Sequence, residues 1–301
     1  MIKLIVEYSD RIDKYITNNS EITRNDAQEL IRQGAVSVDG IKINKNKFVV
    51  SQNQEILIEK LIDKTITVDA QNISLNIVYE DDKLIVVNKH SGMVTHPAPG
   101  NYNNTLVNAL MYHFKNNLSN ENGLLRLGIV HRLDKDTSGL LLVAKDNKTH
   151  QFLASQLKDH KIDRKYLAIV DGVMENEITN IDLPIGRDPK NRQKMAVTKI
   201  NSKPAQTKIR VLEQVYINNS DKTLVECELK TGRTHQIRVH LAYIKHPVYG
   251  DPVYGKKQDS FNQRLHAYKI TFKHPNGEVM TFETEMPWKM EKDIKLHGLD
   301  S

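Results

Sequence analysis

The sequence has very few of the residues on which secreted and membrane proteins depend. It contains one cysteine among 301 residues, Cys227, which excludes an intramolecular disulfide framework and fits a reducing cytoplasm. No apolar run approaches the roughly 20 residues of a membrane span, and the N-terminus shows no signal-peptide pattern. We therefore expect a cytoplasmic protein without a membrane segment, in which Cys227 is a small core residue.

Sequence signatures of metal enzymes and serine hydrolases are also missing. There is no HExxH motif and no cluster of cysteine and histidine, and His235 and His240 are not spaced to share a helix face. Ser138 lacks the GxSxG surroundings of a hydrolase nucleophile, and a GxGxxG phosphate loop is absent. We therefore expect no metal and no cofactor.

The charge of the chain is modest overall but uneven along it. Hydrophobic residues make up 39% and charged residues 27%, as in folded globular proteins. Residues 1–75 hold 10 Lys/Arg and 11 Asp/Glu, a net charge of −1, whereas residues 76–301 hold 33 and 26, a net charge of +7. Residues 187–210 contain eight basic residues and one acid. Such a cluster is either a solvated loop or a binding site for a polyanion such as RNA.

Residues 8–59 have the pattern of a small α/β domain. A short helix is predicted after Asp10, its expected cap, and a second helix is predicted with Thr23 or Asn25 as its cap. Gly34 is the expected C-terminal stop of the second helix.

A β-hairpin is predicted next, over residues 36–43, because apolar and polar residues alternate around an Asp-Gly pair. Together these elements resemble the S4 RNA-binding domain. The matching residues are Arg11, Asp13, Thr23, Arg24, Gly34, Val36, Val38 and Gly40. The resemblance implies an accessory RNA-binding module with Arg11 and Arg24 as contacts, although both could also be ordinary exposed helix charges.

Residues 128–146, which read GIVHRLDKDTSGLLLVAKD, place one carboxylate, Asp134, ahead of an apolar run. The run is typical of a buried strand, so Asp134 should lie on the loop that leads into that strand. The neighbouring Arg132 and Lys135 favour the ionised form of the carboxylate, which suits a nucleophile or a base. A lone aspartate of this kind is, however, usually a surface charge.

Tyr166 begins a second apolar segment, KYLAIVDG, which predicts a strand that ends in a glycine turn. A tyrosine at such a position is either a core aromatic or a platform on which a nucleic-acid base can stack.

The third segment, ELKTGRTHQIRVHL over residues 228–241, predicts a strand, a glycine break and a helix capped by Thr234. Arg238 lies beside the apolar face of this helix and should be partly buried. A partly buried arginine needs a carboxylate, and Asp134 is the natural candidate. Arg233 lies in the glycine turn, where a phosphate contact is expected.

The three segments resemble, in order, motif II, the Tyr-x-Ala-x-Val-x-Gly element and motif III of the RluA/RluD family of RNA pseudouridine synthases, closest to the RluD branch. The residues that match motif I are Tyr79, Glu80, Asp81, Lys89, Gly92, His96 and Pro97. His90 departs from the family, which commonly has a proline there; proline would stiffen this loop by fixing φ.

The resemblance implies a role for individual residues. Asp134 would be the essential catalytic residue, Arg238 would hold it, and Tyr166 would pack on the target base. After the base is flipped out, Arg132 would fill its place in the stack. The basic stretch would form a mobile hairpin over the RNA. The expected RNA contacts are Arg132, Arg233, Arg187, Arg192 and Lys194, with Arg11 and Arg24 in the S4-like domain.

The implied fold is α+β, with a mixed, mainly antiparallel β-sheet catalytic core flanked by helices and loops, and a small α/β S4 domain. The expected boundaries are an S4-like domain (1–60), a linker (61–74), a catalytic domain (75–296) and a C-terminal tail (297–301).

The implied function is isomerisation of specific uridines to pseudouridine in 23S ribosomal RNA, in a stem-loop near the subunit interface. The expected partner is ribosomal RNA, bound by a monomer. The alternatives are a pseudouridine synthase for other 23S or tRNA uridines, a non-catalytic RNA-binding or ribosome assembly protein, and, more remotely, a hydrolase that uses Ser138.

Overall fold

The computed structural model describes residues 1–20, 22, 24–59, 68–98, 100–115 and 117–295. Two compact units are formed, Met1–Thr67 and Val68–Ser301. The predicted C-terminal tail, the first half of the predicted linker and the predicted cap Thr23 lie outside the described residues.

The first unit packs two helices against a four-stranded antiparallel sheet with the strand order β1-β6-β3-β4. This unit has six described strands, of which β2 and β5 are outside that sheet. They are β1 (Ile2–Ile5), β2 (Asp10–Arg11), β3 (Val36–Val38), β4 (Ile41–Lys42), β5 (Val49–Val50) and β6 (Glu55–Ile58). The helices are α1 (Ile12–Asn18) and α2 (Arg24–Arg32). The apolar face of α2, formed by Ala27, Leu30 and Ile31, is buried in the core of this unit.

The predicted cap of α1 is wrong, and of the two alternatives for α2 the structure excludes Asn25, while Thr23 is outside the described residues. Asp10 lies in β2, and α1 begins after Arg11, whose side chain makes no capping hydrogen bond. Asn25 lies inside α2 rather than before it. The predicted hairpin is confirmed: Asp39 and Gly40 have φ values of 48° and 81°, the positive pair that a tight type I′ turn requires.

The second unit is built on a nine-stranded sheet with the path β11-β14-β15-β10-β16-β9-β8-β7, while β17 pairs with β16. Its strands are β7 (Ile77–Glu80), β8 (Leu84–Lys89), β9 (Ser138–Ala144), β10 (Asp163–Asp171), β11 (Ile178–Asp182), β12 (Ile185–Arg187), β13 (Met195–Val197), β14 (Gln206–Ile217), β15 (Ser220–Leu229), β16 (Leu265–Lys273) and β17 (Val279–Glu283). The pair β16–β9 is parallel, and the other strand pairs described in this sheet are antiparallel. Strands β12 and β13 form a separate hairpin.

Helices cover both faces of this sheet. They are α3 (Leu106–Phe114), α4 (Asn147–Lys158), α5 (Gln236–Tyr243) and α6 (Trp288–Lys295), with a short 3-10 helix at Leu124–Arg126. Strand β9 is continuously apolar because both of its faces are buried. Leu141 and Val143 enter the core shared with α3 and α5, and Leu140 and Leu142 enter the core shared with α4. The mixed, mainly antiparallel α+β architecture is thus the predicted one.

Helix α3 begins directly after its N-cap, Thr105. Thr105 and Asn108 form a reciprocal capping box at its start. Cys227 is fully buried in the core, as predicted. No helix within the described part of the chain is long and apolar enough to cross a membrane.

Candidate active site

Asp134 lies on the loop that precedes β9, at the wall of a cavity of about 480 Å³. Its Oδ2 accepts a hydrogen bond from Nη1 of Arg238 at 2.9 Å, so the predicted ion pair between the two residues is present. The pair joins a loop to a helix that lies a hundred residues later in the chain, and it points one carboxylate into the cavity.

The backbone on either side of Asp134 is held by the motif I segment. Thr95 Oγ1 donates to the carbonyl of Leu133 at 2.7 Å, and Lys89 Nζ donates to the carbonyl of Lys135 at 3.0 Å. Lys89 is itself buried and also donates to the carbonyls of His90 and Met93. These three acceptors match the three protons of an ammonium group. Burial lowers the pKa of Lys89 to about 7, against the opposing attraction of Asp134 and Asp136.

Replacing Lys89 by methionine is expected to lower the free energy of unfolding by about 2–4 kcal/mol, because it removes the donor from buried carbonyl groups. Urea unfolding would measure the change. The matched substitution at the exposed Lys148, Lys148→Met, is expected to change it by less than about 0.5 kcal/mol. Equal stability of the two variants would show that Lys89 does not anchor the loop.

Arg238 is buried on α5 and is shared between two carboxylates. Besides its bond to Asp134, Arg238 forms a bidentate salt bridge with Asp251. Its Nε donates to Oδ2 at 2.7 Å and its Nη2 donates to Oδ1 at 2.9 Å. The helix starts differently from the prediction: its N-cap is His235, in the left-handed conformation with φ 57°, and Thr234 does not cap it. This start places Arg238 in the first turn, where its side chain reaches the loop of Asp134.

Asp251 is a site residue that the sequence reasoning missed. It is fully buried, and it also accepts hydrogen bonds from the backbone N–H groups of Val253 and Tyr254. Burial would raise the pKa of Asp251, but the hydrogen bond from Arg238 and its positive charge outweigh burial, so the pKa is lowered. A buried anion therefore fixes the guanidinium that holds Asp134. The signal in the sequence was an acid inside the apolar stretch PVYGDPVYG.

Tyr254 connects the same ion pair to the β12–β13 hairpin. Its hydroxyl accepts from the backbone N–H of Met195 at 2.9 Å and lies 2.8 Å from Nδ1 of His235. The Arg238 guanidinium stacks 5.1 Å from the centre of its ring. Burial lowers the pKa of His235, so this imidazole is neutral at pH 7, with Nε2 at 3.8 Å from Asp134 Oδ2.

Tyr166 lies on β10 and lines the cavity from the side of the sheet. Its side chain also belongs to the main hydrophobic core. Tyr166 is therefore both a core aromatic and a residue that lines the cavity. Burial raises the pKa of Tyr166, which keeps its hydroxyl protonated at neutral pH. The register of β10 against β16 shifts between Lys165 and Leu167, and the extra residue lies on β16, while β10 stays in regular register with β15.

The predicted RNA contacts divide into three groups. Arg132 and Arg233 line the cavity, where Arg132 is exposed and Arg233 Nε donates to the carbonyl of Pro204. On the hairpin, Arg187 donates to the carbonyl of Arg192, and Lys194 donates to the carbonyl of Val253. The predicted hairpin therefore exists, and one of its lysines is tied to the neighbouring loop.

The third group lies in the first unit. Arg11 and Arg24 both bind the buried carboxylate of Asp13, which also accepts from Gln28. Each guanidinium stays partly exposed, with 31% of the Arg11 side chain and 47% of the Arg24 side chain accessible. The two arginines thus have a structural partner as well as a free face.

Other reactive residue types in the second unit serve the packing. Ser138 Oγ lies 2.9 Å from His266 Nδ1, and both side chains are buried. His240 is likewise buried, between Thr207 and the carbonyl of Leu183. His90, which replaces the family's proline, is exposed. The described residues contain no group of three or more His, Cys, Asp or Glu residues placed to hold a metal ion.

Comparison with known proteins identifies the family that has this arrangement. The family model described as RNA pseudouridylate synthase matches residues 83–243, more than half of the chain. The chain belongs to this family. The S4 domain model matches residues 10–56 of the same chain. The chain is therefore an RNA pseudouridine synthase, an isomerase, with an S4 domain at its N-terminal side.

Individual relatives agree with the family assignment. An uncharacterized RNA pseudouridine synthase of Bacillus subtilis, YlyB, is 45% identical over 95% of this chain and 94% of its own length. Ribosomal large subunit pseudouridine synthase D of Zymomonas mobilis is 41% identical over 95% of this chain and 93% of its own length. The solved structure of human RNA pseudouridylate synthase domain containing 1 is 28% identical, with a TM-score of 0.61 over 71% of this chain and 84% of that one. The predicted likeness to the RluD branch is confirmed.

Proposed function

We propose that this synthase converts specific uridines of 23S ribosomal RNA to pseudouridine, with Asp134 as its catalytic residue. The observation that carries the proposal is the Asp134 carboxylate, held at 2.9 Å by the buried Arg238 at the wall of a cavity that Tyr166 also lines. The choice of 23S RNA is supported by the 41% identity to the large-subunit synthase D. Other 23S uridines and tRNA uridines are the alternative substrates.

The reaction needs few protein groups because it is an isomerisation. The bond between C1′ of the ribose and N1 of uracil breaks, the base turns, and a bond from C1′ to C5 forms. The C5 proton is lost and N1 gains one, so the mass of the RNA does not change. Asp134 acts either as a nucleophile at C1′ or as the base that removes a ribose proton. In both roles the carboxylate must be aimed at the ribose, and the hydrogen bond from Arg238 Nη1 supports that orientation.

A uridine in a stem-loop reaches the cavity only if it leaves the base stack, which costs a few kcal/mol. Arg132 would fill the vacated position in the stack, a role supported by its exposure and by its position two residues before Asp134. Tyr166 then offers a ring against the flipped base. Its raised pKa makes it a neutral partner rather than an ionised base.

The remaining contacts are assigned to the RNA backbone. The positively charged residues that would contact the RNA phosphates are Arg233 at the cavity and Arg187, Arg192 and Lys194 on the hairpin. The S4 domain adds Arg11 and Arg24, each with one exposed face. We expect a monomer that works in the cytoplasm, where ribosomal RNA is made and assembled in bacteria.

Incubation of the purified protein with unmodified 23S transcripts is expected to produce pseudouridine at a few discrete positions, mapped by carbodiimide modification and primer extension. A parallel tRNA pool tests the alternative substrates. Modification of tRNA alone would overturn the 23S assignment. RNA binding without isomerisation of either RNA would favour a non-catalytic assembly role, and a change in RNA mass would indicate hydrolysis.

A further inference from the structure

Arg164 differs from the other buried arginines of the described chain. Arg238, 4% exposed, binds two carboxylates, and Arg264, 1% exposed, also binds two, those of Asp259 and Asp293. Arg164 is 9% exposed and makes no ion pair with any residue that the structure describes, and its Nε has no hydrogen-bond partner. A buried, unpaired cation is costly in a folded protein, because it has lost water without gaining an anion.

The Arg164 side chain faces the cavity of Asp134. It lies on β10, two residues before Tyr166 and therefore on the same face of the strand, and both residues line the cavity. Gly232 makes room for it: a Cβ at this glycine would lie 2.8 Å from Arg164 Nη1. The absence of a side chain at residue 232 therefore leaves the guanidinium open to the cavity.

The surroundings of Arg164 are positive and supply no free anion. The charged residues that line the cavity are five cations, Arg132, Lys158, Arg164, Arg233 and Arg238, and one anion, Asp134. Asp134 is already paired with Arg238. The neighbouring His131 is neutral, because burial and the charge of Arg164 lower its pKa to about 3. Among the described residues, the lining of the cavity therefore offers Arg164 no anion of its own.

We propose that Arg164 binds a backbone phosphate of the RNA at the cavity, on the side of the cavity formed by β10 and Gly232. The inference rests on the proposed function, since RNA supplies the anion. Among the groups of an RNA strand only phosphates carry the negative charge that a buried guanidinium lacks, and arginine matches their geometry with two parallel hydrogen bonds.

The test is RNA binding by Arg164→Met, made in an Asp134→Asn background so that no turnover occurs, with an unmodified 23S transcript as the probe. The Kd is expected to rise by about 10- to 100-fold, the scale of a lost charge-assisted hydrogen bond. The slope of log Kd against log salt is expected to fall by about 0.7–0.9, as for one phosphate contact. The melting temperature of the free protein should stay equal or rise, because an unpaired buried charge is removed.

Two further variants complete the design. Gly232→Ala keeps the charge but displaces the guanidinium, and it should weaken binding in the same direction. Lys148→Met removes an exposed positive charge on α4 outside the cavity and should leave the Kd within about twofold.

Two outcomes would contradict the proposal, and each would assign Arg164 a different role. A weaker Kd with an unchanged salt slope would assign Arg164 to a neutral acceptor such as a uracil carbonyl, and a lowered melting temperature with unchanged binding would assign it a structural role. Either would overturn the proposal. Neither would affect the proposed function, which fails instead if Asp134→Asn retains turnover.

Discussion

Replacing Asp134 by asparagine is expected to abolish pseudouridine formation, with a fall of about four orders of magnitude or more in turnover. Asparagine has the same shape and can still accept the hydrogen bond from Arg238 Nη1, which Asp134 Oδ2 accepts at 2.9 Å. It cannot attack C1′ as an anion or remove a ribose proton. The loss should therefore appear in turnover, while RNA affinity stays within a few-fold of the wild type.

Release of tritium from RNA labelled at C5 of uridine would measure turnover, and filter binding would measure affinity on the same preparation. Asp136→Asn is a matched control, because Asp136 lies on the same loop, outside the cavity lining, and bonds Asn262 at 3.0 Å. We expect it to retain activity. Turnover by Asp134→Asn would remove Asp134 from the chemistry, whereas loss of affinity would make it a binding residue.

The elements of the fold could be predicted where local pattern decides the structure. The apolar run before Ala144 and the Asp-Gly turn of the first unit specify a buried strand and a tight hairpin from neighbouring residues alone. The start of α5 could not be predicted in this way. Thr234 is a good capping residue by type, but the N-cap is His235, with φ 57°, so the helix begins one residue later than predicted.

The catalytic pair could be predicted only in part, for a similar reason. Burial of Arg238 follows from helical spacing, and the need for a carboxylate follows from burial, so Asp134 could be named in advance. Asp251 was harder to name, since the apolar stretch around it indicates burial but nothing local indicates that its partner is Arg238. The same limit applies to Arg11 and Arg24, whose charges are visible in the sequence although their shared partner, Asp13, is not obvious from it.

Replacing Arg238 by alanine is expected to lower both stability and activity. The fully buried Asp251 would keep its charge without a counter-ion, which costs about 3–5 kcal/mol of unfolding free energy. Asp134 would lose its bond at the same time, so turnover should fall by about 100-fold or more, as when one preorganised electrostatic contact is removed. Urea unfolding and tritium release would measure the two losses separately.

A double variant separates the effect of the unpaired Asp251 from the effect of the lost bond to Asp134. In Arg238→Ala/Asp251→Asn the buried carboxylate is gone, while an amide oxygen remains to accept from the N–H groups of Val253 and Tyr254. Stability should recover relative to Arg238→Ala by about 1–3 kcal/mol, the interaction energy of neighbouring groups. Activity should stay low, because Asp134 still lacks the guanidinium that aims it. Recovery of turnover together with stability would mean that Arg238 only neutralises Asp251, and that Asp134 needs no cation to act.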